Sequence, residues 1–185
     1  MLNIKIDSQD LARAQNLLSG IKNGYRSAVN AALRRTLTQM KTQASRLTRE
    51  KYYLKAGEVN KTLSVSVSGM TGRVTSRGKK LPISEYYVSP KTRVKNMKGV
   101  RAAVKRDGIK FINKAFLVRL GGGGKYYPYV RTGKARWDIR RIMSPAVPQA
   151  MGNPEIISEL EDFAGEKFTE RLNHEVMRQL GVFSK

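Results

Sequence analysis

The sequence predicts an α+β fold, in which two helical blocks flank a central antiparallel β-sheet of four to six strands. Near both ends of the chain, apolar residues recur every three or four positions, as in helices that bury one face. Between these blocks, short alternating runs are separated by turns rich in glycine and proline, which is typical of antiparallel strands. Because no strand–helix–strand alternation occurs there, a parallel doubly wound sheet is not expected. The 185 residues are expected to form a single domain, 1–185.

The charge of the chain and its lack of cysteine narrow the functional classes. The formal net charge is +22, and no cysteine is present, so disulfides and thiolate chemistry are excluded. Segments 21–55, 56–110 and 111–150 carry +8, +10 and +7, whereas segment 151–185 carries −3. Such a charge needs strong solvation or an anionic partner, for which nucleic acid, an anionic membrane surface and an acidic protein surface are the candidates. No apolar run is long enough for a membrane span. Of the three candidates, a membrane is not among the expected partners.

The N-terminal block is predicted to contain one strand and three helices. Residues 1–7 alternate apolar and polar side chains and predict a short half-buried strand. A helix follows over residues 8–20, then a long basic helix over 21–51 and a short third helix within 52–63. On the long helix the cations include Arg34 and Lys41. They form either a solvated face or a groove that faces a polyanion.

The middle of the chain is predicted to supply most of the strands. Residues 63–67 alternate, and the strand is expected to continue at residues 73–76. Extended structure is predicted again over residues 81–88 and 100–105. Residues 89–99 are polar, basic and rich in turn formers, and predict a mobile basic loop.

The densest turn signals lie between Phe111 and Gly152. A strand is predicted over residues 116–120, followed by a run of four glycines ending at Gly124. Two further strands, 127–131 and 136–143, are predicted to pair through a Thr-Gly-Lys turn. Pro145 and Pro148 then end the last strand.

The C-terminal helix has clear start and stop signals. Asn153 and Pro154 form a typical helix start, and acids crowd the first turns, where the helix dipole favours negative charge. Gly181 is expected to end the helix. This acidic helix is expected to pack, with the long basic helix, against the sheet.

Residues for catalysis, cofactor binding or metal binding are not predicted. The single histidine, His174, lacks the partners of a metal site, and a surface or capping role is favoured. No glycine–lysine pair is followed by Ser or Thr, as a phosphate-binding loop requires. Tyrosines and arginines interleave over residues 126–141 and suggest a base-stacking platform, although core or interface packing is the favoured interpretation. We therefore expect that the chain is not an enzyme.

One stretch carries a family resemblance. Three short motifs lie in this stretch: Phe-Leu-Val-Arg at residues 116–119, Tyr-Val-Arg-Thr-Gly-Lys at 129–134 and Pro-Ala-Val-Pro at 145–148. Together they resemble the prophage minor tail protein Z family, which belongs to the tail-completion proteins of tailed bacteriophages. The resemblance extends over residues 21–150. Asp138 departs from the family pattern, which has proline at that position.

This resemblance implies a structural virion protein without catalytic residues. It implies a minor tail or tail-completion component at the head-proximal end of the tail tube or at the head–tail junction, assembled as a homo-oligomeric ring. The expected partners are other tail or head–tail connector proteins, with non-specific contact to genomic DNA. The expected location is the virion tail, and the host cytoplasm during assembly.

The basic residues most suited to docking lie in the hairpin that carries the resemblance and on the long helix. The predicted docking or polyanion-facing residues are Arg131, Lys134, Arg136, Arg140, Arg141, Arg34 and Lys41. The alternative function is a freestanding nucleic-acid-binding protein without sequence preference, because the same charge would neutralise phosphates.

Overall fold

The computed structural model describes residues 8–119 and 124–181. Five helices lie in these ranges: α1 (Ser8–Leu17), α2 (Gly24–Lys51), α3 (Ala56–Asn60), α4 (Val147–Met151) and α5 (Pro154–Gln179). Ten strands accompany them: β1 (Leu63–Ser68), β2 (Thr71–Ser76), β3 (Leu81–Pro82), β4 (Tyr87–Ser89), β5 (Gly99–Ala103), β6 (Lys110–Asn113), β7 (Phe116–Arg119), β8 (Tyr126–Arg131), β9 (Ile139–Arg141) and β10 (Met143–Ser144). The α+β class is confirmed. The strand predicted over residues 1–7 lies outside the described residues, as do Leu120 and Gly121 to Gly123.

The strands of the described ranges form four small antiparallel sheets instead of one sheet of four to six strands. The strand orders are β1–β2, β3–β10, β4–β5–β6 and β7–β8–β9. The strands are only two to six residues long. Turns and one 3₁₀ segment interrupt the chain before a longer sheet can extend.

The chain divides into two compact units, and the boundary falls within α2. The first unit comprises the described parts of Met1–Ala44, Leu63–Ser76 and Gly152–Lys185, and the second comprises Ser45–Thr62 and Arg77–Met151. The single domain over residues 1–185 stays a prediction.

In the first unit, helices pack mainly against one another. The small side chains of Ala28 and Ala32 on α2 are fully buried, and they share one hydrophobic cluster with Phe168 and Leu172 of α5. Both ends of α5 agree with the prediction. The Asn153 side chain accepts a hydrogen bond of 3.1 Å from the backbone N–H of Glu155, and Gly181 adopts a φ of +75°.

The segment after Gly69 forms a hairpin and does not continue the first strand, which corrects the prediction for residues 63–76. β1 and β2 pair in register from Leu63 with Ser76 to Ser68 with Thr71. The turn is possible because Gly69 adopts a φ of +60°, which other residues adopt rarely. Val67 and Val74 then pack on the cluster that includes Leu37 of α2.

The second unit is built around Val100, Ala115 and Leu117. Strand β6 was not predicted, and it pairs with β5 so that Val100 lies opposite Ile112. The predicted extended run over residues 81–88 is interrupted by a 3₁₀ turn, Ile83–Glu85. This turn buries both Ile83 and Tyr86, which a strand could not place on one face. Residues 90–98 contain neither helix nor strand, and their mobility stays a prediction.

Candidate docking surface

The register of sheet β7–β8–β9 gives it one packed face and one basic, aromatic face. Tyr129 lies opposite Phe116 on one neighbouring strand and opposite Arg141 on the other. Leu117 and Val130, on the alternate positions, pack in the core of the second unit. The first three residues therefore share the face that is turned away from this core.

Arg141 is held on that face by two tyrosines. Its guanidinium carbon lies 4.2 Å from the ring centroid of Tyr127 and 5.6 Å from that of Tyr129. Its Nε also donates a hydrogen bond of 3.1 Å to the hydroxyl of Tyr129. Cation–π attraction and a hydrogen bond thus fix the side chain, so its role is partly structural.

Arg131 has a comparable role at the end of β8. Its guanidinium carbon lies 5.7 Å from the ring centroid of Phe116. One of its terminal nitrogens donates to the backbone carbonyls of Ala135 and Arg136, at 3.2 and 3.4 Å. Arg131 therefore ties the loop between β8 and β9 to the sheet.

Asp138 closes this loop. The backbone N–H of Thr132 donates a hydrogen bond of 2.8 Å to the carbonyl of Asp138, and the N–H of Ala135 donates to its carboxylate at 3.2 Å. A side chain at Gly133 would collide with the same carboxylate. The strand predicted over residues 136–143 is therefore shortened to β9, and Arg136 belongs to the loop.

Three other cations of the hairpin extend into solvent. Lys134, Arg136 and Arg140 are exposed, and Arg140 alternates with Arg141 along β9. The guanidinium carbon of Arg136 lies 5.4 Å from the ring of Trp137, whose side chain is 74% exposed. Within residues 131–141 the five cations are accompanied by a single acid, Asp138. We name residues 131–141 the basic hairpin.

Arg34 and Lys41 lie in the first unit, so the seven predicted residues belong to two separate units. They are seven positions apart on α2, which places them on the same side of the helix. Arg34 is exposed and borders a shallow cavity of about 300 Å³ with Thr38, Val65 and Val67. Lys41 is half-buried. The structure thus brings together the five hairpin residues, whereas these two form a separate basic site.

Two residues that build the basic hairpin were missed by sequence reasoning. Phe116 supplies the ring under Arg131, and Asp138 closes the loop. The alternation of β7 indicates on which face Phe116 lies. Its contact with Arg131, however, depends on the register between β7 and β8. An aspartate after a Thr-Gly-Lys turn was the available signal for a loop closed by a side chain.

The described residues offer neither a metal-binding cluster nor a membrane-spanning helix. In residues 8–119 and 124–181, no group of three or more His, Asp or Glu side chains could hold a metal ion. His174 is half-exposed, and its Nδ1 lies 4.0 Å from a carboxylate oxygen of Glu175. None of the helices in these ranges is long and apolar enough to cross a membrane.

Comparisons with protein-family models, curated proteins and solved structures found no significant match to the chain.

Proposed function

We propose that the chain is a structural component of a tailed-bacteriophage virion, a minor tail or tail-completion protein that docks through the basic hairpin. It would act at the head-proximal end of the tail tube or at the head–tail junction, as part of a ring. The observation that carries this proposal is the basic hairpin itself. Four exposed cations, Arg131, Lys134, Arg136 and Arg140, lie in the stretch whose sequence resembles the minor tail protein Z family.

The geometry of the hairpin supports docking to a preformed acidic surface. Arg131 and Asp138 fix the loop, so little conformational entropy is lost when the loop binds. Lys134, Arg136 and Arg140 remain exposed and would contact acidic rings of neighbouring tail proteins. Electrostatic complementarity of this kind speeds association and selects the partner.

Strand edges offer a route to ring formation. In the sheets of the second unit, β6 and β9 are edge strands. Phe111 on β6 is 57% exposed, and Ile109 just before it is 52% exposed. A neighbouring copy could add a strand to such an edge and cover these side chains.

The test compares two triple variants with equal loss of positive charge. Lys134→Glu, Arg136→Glu and Arg140→Glu change the basic hairpin, whereas Arg77→Glu, Lys79→Glu and Lys80→Glu change exposed cations elsewhere in the second unit. Binding to tail tubes from the phage or prophage that encodes the chain is measured by co-sedimentation and electron microscopy. The proposal expects loss of binding for the hairpin variant alone, and equal behaviour of both variants would contradict it.

A second candidate is the freestanding nucleic-acid-binding protein, which the exposed Trp137 beside Arg136 favours. An exposed indole next to a guanidinium can stack on bases without sequence preference. The same purified protein is titrated with duplex and single-stranded DNA at low and physiological salt. Tight, saturable binding that survives physiological salt, without binding to tail tubes, would support this candidate over docking.

A further inference from the structure

A cavity of about 530 Å³ lies within the second unit, apart from the basic hairpin. Its walls come from the chain after α2, from the 3₁₀ turn and β4, and from the start of β8. A volume of this size is typical of small-molecule sites.

Planar groups form one wall of the cavity. The rings of Tyr53 and Tyr87 lie 5.1 Å apart between centroids, tilted by 36°. The guanidinium carbon of Arg106 lies 5.0 Å from the ring centroid of Tyr53, and its Nε donates a hydrogen bond of 2.8 Å to the carbonyl of Arg49. These groups support one another, and planar side chains of this kind suit an aromatic ligand.

The charge of the cavity favours an anion. Among the described lining residues, the cations are Lys55, Lys91, Arg106 and Lys125, and the acid is Glu85. Lys125 is ion-paired with Glu85. An excess of cations therefore remains, and because their side chains are exposed, salt should weaken the binding of an anion here.

We propose that this cavity binds a nucleotide, with the base against Tyr87 and Tyr53 and the phosphate near Lys55 and Lys91. This site goes beyond the docking function and does not depend on it. The ligand class follows from two features that occur together: planar walls and an excess of cations. A nucleotide supplies a ring and an anion in one molecule. It would be either a free nucleotide or one unit of a single strand.

The experiment compares ligands that differ only in the base. AMP and ribose 5-phosphate are titrated into the full chain by isothermal titration calorimetry at low salt. Saturable binding of AMP at one site per chain, at least tenfold tighter than ribose 5-phosphate, is expected because only AMP can stack. Equal affinities, or no saturable binding of AMP, would overturn the proposal and leave a general anion site or no site. A hexamer of deoxyadenosine is then titrated into the chain and into Lys55→Ala with Lys91→Ala, because the basic surface elsewhere also attracts a polyanion. A strand occupies the site if the hexamer binds more tightly than AMP and loses this advantage in the variant, and a free nucleotide occupies it otherwise.

Variants locate the binding in the cavity. Lys55→Ala with Lys91→Ala is expected to weaken AMP about tenfold or more, since it removes two cations from the wall. Lys79→Ala with Lys80→Ala removes equal charge from exposed positions outside the cavity and should change the affinity less than twofold. Equal weakening by both pairs would overturn the assignment of the site.

Discussion

Tyr129 accepts a hydrogen bond of 3.1 Å from Nε of Arg141, directly across the β8–β9 pair. Tyr129 is only 7% exposed, so the arginine covers its hydroxyl as well as contacting its ring. The side chain that sequence alone assigns to docking is therefore also a part of the sheet that carries the docking surface.

Replacement of Arg141 should consequently reduce stability. Arg141→Ala removes the cation–π contacts with Tyr127 and Tyr129 and the hydrogen bond to the Tyr129 hydroxyl. We expect a loss of about 1–2 kcal/mol in the free energy of unfolding, measured by urea denaturation. Arg141→Lys should recover only part of this loss, because an ammonium lacks the planar geometry.

The matched control is the neighbouring Arg140→Ala. Arg140 is exposed, and it lies on the opposite side of the strand. Its removal should change stability by less than about 0.5 kcal/mol. If both alanine variants lost equal stability, the proposed structural role of Arg141 would be wrong.

Glu175 forms an ion cluster with Arg35 and Arg178 in the first unit. The Glu175 side chain is 1% exposed, and its Oε2 accepts a hydrogen bond of 2.7 Å from Nε of Arg178. Its Oε1 lies 3.3 Å from Nε of Arg35. Both arginines are more than half exposed, at 53% and 55%, whereas the carboxylate is not.

Removal of both arginines should therefore lower the free energy of unfolding more than neutralising Glu175 does. Arg35→Ala with Arg178→Ala leaves a buried charge without compensation, and we expect a loss of about 3–5 kcal/mol. Glu175→Gln keeps the shape of the side chain and leaves the arginines in solvent, so about 1–2 kcal/mol is expected. Urea denaturation of both variants gives the comparison, and a larger loss in Glu175→Gln would contradict this view of the cluster.

The positions of α1, α2, α3 and α5 could be predicted because each depends on local spacing and caps, whereas the short helix α4 was not predicted. The pattern from Ile156 to Val176 fixes one face of α5, and Asn153 with Gly181 marks its ends. The sheets were predicted less well, because pairing depends on residues distant in the sequence. Strand β6 has weak alternation of its own, and its pairing with β5 is what defines it.

The candidate docking residues could be named from charge and turn signals, but the contacts that each of them makes could not. Charge and turn signals indicated a basic hairpin, but they could not distinguish Arg140 in solvent from Arg141 against two tyrosines. The walls of the nucleotide cavity come from segments up to about seventy residues apart, such as Tyr53 and Lys125. No local pattern could have assembled them.

Close packing at one glycine gives a further prediction. A side chain at Gly99 would meet the backbone carbonyl of Ile112 and lie 2.6 Å from the Phe111 ring, so Gly99→Ala should force β5 and β6 apart. We expect a loss of about 1–3 kcal/mol in the free energy of unfolding. Gly108→Ala is the control, because nothing lies within 4 Å of a Cβ at Gly108, and it should change stability by less than about 0.5 kcal/mol. A harmless Gly99→Ala would show that the two strands do not pair this closely.

The last prediction concerns alkaline pH. Burial, with a smaller contribution from Tyr52, raises the pKa of Tyr86 to about 12, and its hydroxyl donates a hydrogen bond of 2.9 Å to the carbonyl of Pro145. In the unfolded chain Tyr86 loses this proton at about pH 10, whereas in the folded chain it keeps the proton up to about pH 12. The free energy of unfolding should therefore fall as the pH rises from about 10 to about 12. Tyr86→Phe should be about 1 kcal/mol less stable than the natural chain near neutral pH, and the difference should shrink as pH rises through this window. Urea denaturation of both proteins over the pH series provides the measurement, and a constant difference up to about pH 12 would show that Tyr86 ionises like an exposed tyrosine.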